Sequence, residues 1–191
     1  VIPGTYVRVR AEALISAGGI SSGNIGIVGT ASQGTGATHI LSDFESAKAL
    51  FGAYDAFSTG ALNLTRGLEL LYQNGARTVF ARGLDPAGNP GQPEYTTAFN
   101  ELLKEDVNLL VAPQLTTADA KAVLGALVTS AEGNGKDVIA IIGSDKAAAA
   151  DIKAQAPNDD RLIFTAPGLE AFDAADKKIV TLPGTYSAAA L

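Results

Sequence analysis

Apolar runs recur along this chain at 25–28, 79–81, 107–111, 138–142 and 162–164, broken by a polar residue only at Asn108, and amphipathic stretches fill the gaps between them. A strand that faces water on one side alternates apolar and polar residues; a strand covered by helices on both faces reads as a continuous apolar run. Such runs taking turns with helix-period segments are the mark of parallel strand–helix–strand units. The pattern predicts an α/β fold, a layered sheet of mostly parallel strands with helices on both faces.

The helical segments carry their own punctuation. Residues 42–50 read as a short helix, with Ser42 as N-cap and Glu45 completing a capping box. Residues 61–73 set Leu64, Leu68, Leu71 and Tyr72 on one face and stop at Asn74-Gly75. Tyr95, Ala98, Phe99, Leu102 and Leu103 outline a third helix. Residues 117–131 would bury Val123, Leu124, Leu127 and Val128 before Gly133, and a last helix is expected near 144–155.

Ahead of this series, residues 5–11 alternate cleanly. Val7, Val9 and Ala11 face one way while Tyr6, Arg8 and Arg10 face the other, the period of a half-buried strand. Glycines and serines between 18 and 23 then break the chain. Three parts result: an N-terminal strand or arm with its break at 1–22, an α/β core at 23–182, and the start of a further C-terminal domain at 183–191. Pro-Gly-Thr-Tyr occurs at 3–6 and again at 183–186 and reads as a turn at each boundary. There is no Met, even at position 1, and Leu191 ends an apolar helical run, so the chain reads as a piece of something longer.

Charge and composition remove whole classes of function. A net charge of −6 with no basic cluster repels phosphates and anionic lipid, so neither nucleic acid nor membrane is an expected partner. The absence of Cys and the presence of one His exclude disulfides, thiolate chemistry and nearly every zinc site. No metal or cofactor is expected.

One motif argues for a ligand. Gly29 and Gly34 have the spacing of a phosphate-cradling loop, directly after an apolar strand. The Lys that should follow Gly34 is Thr35, and Gly36 stands where the magnesium-binding hydroxyl belongs. The dinucleotide spacing fails too, with His39 in place of its third small residue. A nucleotide- or phosphate-binding domain using residues 29–36 is therefore the alternative function, with the glycines serving backbone geometry as the other reading. A hydrolase would depend on His39 or Ser144. Only a His–Asp–Ser order is open to it, and no nucleophile-elbow motif marks the Ser. His39 reads as a loop or strand-edge residue. Ser144-Asp145 reads as an N-cap with an acidic first turn, Asp85 and residues 158–160 as turns, and Arg82 as a surface ion pair.

Three segments in succession carry a resemblance: Ile2-Pro-Gly-Thr-Tyr-Val, then Gly23-Asn-Ile-Gly-Ile-Val-Gly-Thr-Ala-Ser-Gln-Gly, then Leu62-Asn-Leu-Thr-Arg-Gly-Leu-Glu-Leu-Leu-Tyr-Gln-Asn-Gly-Ala. It continues through Thr78-Val-Phe-Ala-Arg, Glu105-Asp-Val-Asn-Leu-Leu-Val-Ala-Pro and Leu182-Pro-Gly-Thr-Tyr-Ser-Ala-Ala. Over nearly its whole length the chain resembles the tail sheath proteins of contractile phage tails, R-type pyocins and other contractile injection systems. Many of these insert a β-sandwich near the position of residues 85–91, whereas here helix and strand resume at once. The resemblance implies a structural subunit without catalysis, located in a virion-type tail. Many copies would polymerise helically around an inner tube, with baseplate and tail terminator proteins as further partners, and contraction would drive the tube through a target envelope. It also implies terminal arms exchanged between neighbours. Tyr6, Val7, Arg8, Val9 and Arg10 are the candidate subunit contacts.

Overall fold

The computed structural model describes residues 23–52, 62–173 and 177–191. Its centre is a six-stranded sheet in the order β2-β3-β1-β4-β5-β6. These strands are β1 (Ile25–Thr30), β2 (Thr38–Leu41), β3 (Val79–Leu84), β4 (Leu109–Val111), β5 (Ile139–Gly143) and β6 (Leu162–Thr165). All neighbours run parallel except β2, which lies antiparallel against β3 at the edge.

Right-handed crossovers dictate which face each helix takes. The chain leaves β1 toward one side of the sheet and returns through α1 (Phe44–Phe51) and α2 (Leu64–Gln73) to β3. It then moves the other way through α3 (Gln92–Leu102), α4 (Thr117–Gly133) and α5 (Ala149–Gln155). Two apolar layers follow from this reversal. Phe99, Leu102, Leu110, Leu124, Val128 and Ile142 fill the layer under α3 and α4. Ile27, Phe51, Leu64, Leu68, Val111 and Ile141 fill the opposite one.

Past β6 the chain adds an antiparallel hairpin, β7 (Leu169–Asp173) and β8 (Lys178–Leu182), then a 3-10 turn at Gly184–Tyr186 and the short helix α6 (Ser187–Ala190). These pack on the second layer. Tyr186 is fully buried, its hydroxyl donates to the Asn63 carbonyl at 3.1 Å, and Ala188 and Ala189 close in beside it. Close backbone approach requires glycine at two places here. A Cβ on Gly143 would collide with the Gly184 carbonyl, and one on Gly184 with the Ser144 carbonyl. The tetrapeptide at 183–186 is a turn, as expected, and it is also a plug in the core. Its twin at 3–6 lies outside the described residues.

The alternation of strands and helices follows the expected order. Three local readings are corrected. The N-cap of α1 is Asp43, whose carboxylate accepts the Ser46 N–H at 2.8 Å, while Ser42 only donates its hydroxyl to that carboxylate. The helix near 144–155 begins only at Ala149, because Ser144 is held in the turn before it. β2 and the β7–β8 hairpin were not anticipated. Residues 85–91 form a tight turn, with Asp85 capping the 3-10 turn Pro86–Gly88 by accepting the Ala87 N–H at 2.9 Å.

Candidate functional site

In a sheet of this kind the ligand crevice lies beyond the strand ends, where strand order reverses. Here that point lies between β1 and β4, whose crossovers leave toward opposite faces. A crevice of about 360 Å³ opens there, lined by Thr30, Asn89, Tyr95, Gln114, Thr116 and Asp119 among others. Its inner end is filled by the protein itself. Gln114 Oε1 accepts the Thr30 N–H at 2.5 Å, and its Nε2 donates to Thr30 Oγ1 at 2.7 Å and to the Leu62 carbonyl at 2.6 Å. One side chain thus ties the end of β1 to the approach of α2.

The glycine loop that follows β1 is fastened the same way. The Ala31 N–H donates to the Leu84 carbonyl and the Gly36 N–H to the Gly83 carbonyl, each at 3.0 Å. Ser32 Oγ donates to the Phe51 carbonyl at 3.3 Å, and Gln33 Nε2 to the Ala49 carbonyl at 3.4 Å. A phosphate cradle needs a run of free amides opening onto a helix N-terminus. This loop has the amides of Thr30, Ala31 and Gly36 engaged, and it runs into the edge strand β2. Gly29 is required because a Cβ would strike Gln114 Oε1 and press Leu64 Cα at 3.1 Å. Gly34 sits at φ +66°, with the Leu50 carbonyl 2.6 Å from where a Cβ would be.

The hydrolase candidates are held apart. His39 lies on β2, its ring edge-on to Phe51 at 5.7 Å between centroids. Ser144 follows β5, four strand spacings or about 19 Å away across the sheet. Ser144 is buried, and its hydroxyl donates to Gln155 Oε1 at 2.7 Å while accepting the Lys146 N–H at 3.1 Å. Gln155 Nε2 donates to Asp145 Oδ1 at 2.5 Å, which holds the Asp145 carboxyl below its ordinary range. Thr117 Oγ1 joins in by accepting the Asp145 N–H and donating to the Gly143 carbonyl. This network locks α5 onto the end of β5 in place of the expected N-cap.

Arg82 donates to Thr38 Oγ1 at 3.2 Å across the β2–β3 pair, where an ion pair was expected. Asp159 accepts the Arg161 N–H at 2.9 Å, as a turn residue does. Among the described residues, no group of three His, Cys, Asp or Glu side chains is placed to hold a metal ion, and no helix is long and apolar enough to cross a membrane.

The surface offers contacts instead. Phe172 and Ile179 are register partners on the outer face of the hairpin, 56% and 67% exposed. Ile40 on β2 and the pair Ile139 and Ile163 on β5 and β6 are also exposed. Phe172 and Ile179 break the apolar–polar alternation of 169–173 and 178–182, which hid the hairpin in the sequence. The candidate contacts Tyr6, Val7, Arg8, Val9 and Arg10 lie outside the described residues.

No family model and no curated protein matches the sequence. Solved structures do match the fold. A chain of the contracted helical sheath of the anti-feeding prophage superimposes over 99% of this chain with a TM-score of 0.61 at 17% identity. This chain folds like that sheath chain. A chain from the contracted baseplate of the same particle matches over 100% of the sequence, with a TM-score of 0.58 at 19% identity. The present chain spans about half the length of each, 51% and 53%. Both likenesses cover essentially the whole of this chain.

Proposed function

We propose that this chain is a structural subunit of a contractile sheath, carrying out no catalysis. Copies polymerise helically around an inner tube, and contraction rotates them as rigid bodies to drive the tube through a target envelope. The observation that carries this reading is the match of the whole chain to the sheath chain of the anti-feeding prophage. The occupied inner end of the crevice agrees with it, since Gln114 and the amides of Thr30, Ala31 and Gly36 are spent on holding the chain to itself. Inner tube, baseplate and tail terminator proteins are the proposed partners, and a phage-type tail or injection particle the proposed location. The three-part division at 22 and 183 is likewise proposed, with residues 183–191 leading into a further domain while packing on the core. Tyr6, Val7, Arg8, Val9 and Arg10 are proposed contacts in the assembled state.

Electron microscopy of the full-length protein expressed with a tube protein tests this directly. Hollow cylinders with a helical repeat are expected. Dispersed single subunits at high concentration, with and without the tube protein, would refute it. Calorimetry with ATP or GTP and magnesium tests the alternative at residues 29–36; the sheath reading expects no binding heat.

A further inference from the structure

The crevice at the reversal of strand order is filled at its inner end only, and its outer part keeps a polar group without a partner. Tyr95 lies on the inner face of α3 with Ala98, Phe99 and Leu102, and its ring packs into the apolar layer under α3 and α4. The residue is 2% exposed, yet it forms part of the crevice wall. Among the described residues its hydroxyl has no hydrogen-bond partner, and it is not one of the polar atoms sealed from solvent. Burial alone raises its pKa, with no hydrogen bond contributing. A tyrosine buried this deeply ordinarily finds a partner for its O–H, because a desolvated and unsatisfied hydroxyl is costly. The open side of this one is the crevice.

The wall around it offers both halves of a hydrogen bond. Thr30 Oγ1 accepts from Gln114 Nε2 and keeps its own proton to donate. The side-chain amide of Asn89, on the 85–91 turn, is uncommitted among the described residues. Asp119 accepts from Gln92 at 2.6 Å and from Thr116 at 2.8 Å, which leaves lone pairs on both carboxylate oxygens. Pro86, Pro90 and Leu115 supply the apolar part of the wall.

Charge selects against ions of either sign. Asp119 is the only charged side chain in the wall among the described residues, and it stands on the first turn of α4, whose positive end offsets it. A phosphate would have to displace this carboxylate from the helix N-terminus, where Thr116 Oγ1 already accepts the Asp119 N–H at 3.2 Å. An ammonium group would meet the same positive helix end. The nearest other carboxylates, Asp85 and Glu94, accept the Ala87 and Gly91 N–H groups and line a separate groove with Arg82. An uncharged ligand dense in hydroxyls is what remains. At about 360 Å³ the crevice lies at the small end of ligand pockets, which suits one ring and not a chain of them.

We propose that the outer part of this crevice binds an uncharged polyhydroxy compound the size of one monosaccharide, with the Tyr95 hydroxyl, Thr30 Oγ1, Asn89 and Asp119 as its hydrogen-bond partners. Affinity is of order millimolar, because each ligand hydroxyl exchanges a bond to water for one to the protein. The site needs only the folded chain, so its failure leaves the sheath reading untouched.

The probes are the methyl glycosides of glucose, galactose and mannose, with inorganic phosphate and ethylammonium as charged counterparts. Amide chemical shifts of the isotope-labelled chain are followed as each probe is raised to tens of millimolar. At least one glycoside should shift the amides of Thr30, Asn89 and Thr116 in a saturable way, while the two ions leave them unmoved. Tyr95→Phe should weaken that binding five-fold or more and leave the thermal midpoint unchanged or slightly raised, since the lost O–H has no partner in the fold. No saturable shift with any glycoside, equal shifts with either ion, unweakened binding by the Phe variant, or a lowered midpoint in that variant would overturn the proposal.

Discussion

Tyr186 gives the sharpest test of how the C-terminal elements are held. Its ring is 0% exposed, and its hydroxyl donates to the Asn63 carbonyl, which also accepts the Gly67 N–H at 3.3 Å. Asn63 caps α2 through its side chain, accepting the Arg66 N–H at 2.9 Å, so Tyr186 bonds to the residue that starts the helix. Tyr186→Phe removes one hydrogen bond but leaves the carbonyl satisfied by Gly67, which sets the cost at about 1 kcal/mol. Tyr186→Ala also empties the ring's site, with no nearby solvent to fill it, and costs about 3–5 kcal/mol. For a chain of this length each kcal/mol moves Tm by about 2–4 °C. Thermal unfolding followed by circular dichroism should show a fall of a few degrees for the Phe variant and about 10 °C for the Ala variant. Urea titration should place the two in the same order. An Ala variant within about 3 °C of the parent would mean that the C-terminal turn and α6 unfold apart from the cooperative core. Equal losses in both variants would put the energy in the hydroxyl and refute the packing argument.

Gln114→Ala frees the Thr30 N–H, the Thr30 hydroxyl and the Leu62 carbonyl together; stability should fall by about 2 kcal/mol, and amide exchange at Thr30 should accelerate without change at Ile27. Gly184→Ala drives a Cβ into the Ser144 carbonyl and should cost about 1–3 kcal/mol or more. Gly133→Ala, at the end of α4 with open space around it, should be neutral or slightly stabilising in the same denaturant assay. Burial raises the phenol pKa of Tyr72, Tyr95 and Tyr186 above the ordinary value of about 10. A folded-state pKa above the unfolded one contributes stability that is complete below pH 10 and lost as pH climbs beyond it. Denaturant midpoints should therefore hold steady from neutral pH up to about 10 and then drop, and ultraviolet titration should show these phenols ionising only as the chain unfolds.

The parts of the fold that were legible in the sequence are those in which one physical demand dominates. Residues 140–142 and 26–28 are dry on both faces, and their unbroken apolar composition says so. Leu124 and Val128 sit one helical turn apart because they share a face. The parts that were hidden depend on compromise. β2 buries only Leu41, so nothing in Thr38-His39-Ile40 marks it as a strand until β3 supplies a partner. Ser42 and Asp43 are both competent caps, and in the fold it is Asp43 that accepts the Ser46 N–H. Ser144 has the sequence of an N-cap, yet Gln155 competes for its hydroxyl from eleven residues away. The glycine loop was the most deceptive element. Its spacing is that of a phosphate site, and only the third dimension places Gln114, 84 residues downstream, against its first amide.

That glutamine changes what kind of equilibrium governs the end of β1. A site filled by a diffusing ligand is occupied to the extent that the surrounding solution supplies it, and its contribution to stability rises and falls with concentration. A side chain delivered by the same polypeptide has no dissociation into bulk and no supply to run short. The junction of β1, β4 and α2 is thus equally rigid in a dividing cell, a starved one, or dilute medium outside any cell, where no nucleotide pool exists to maintain it.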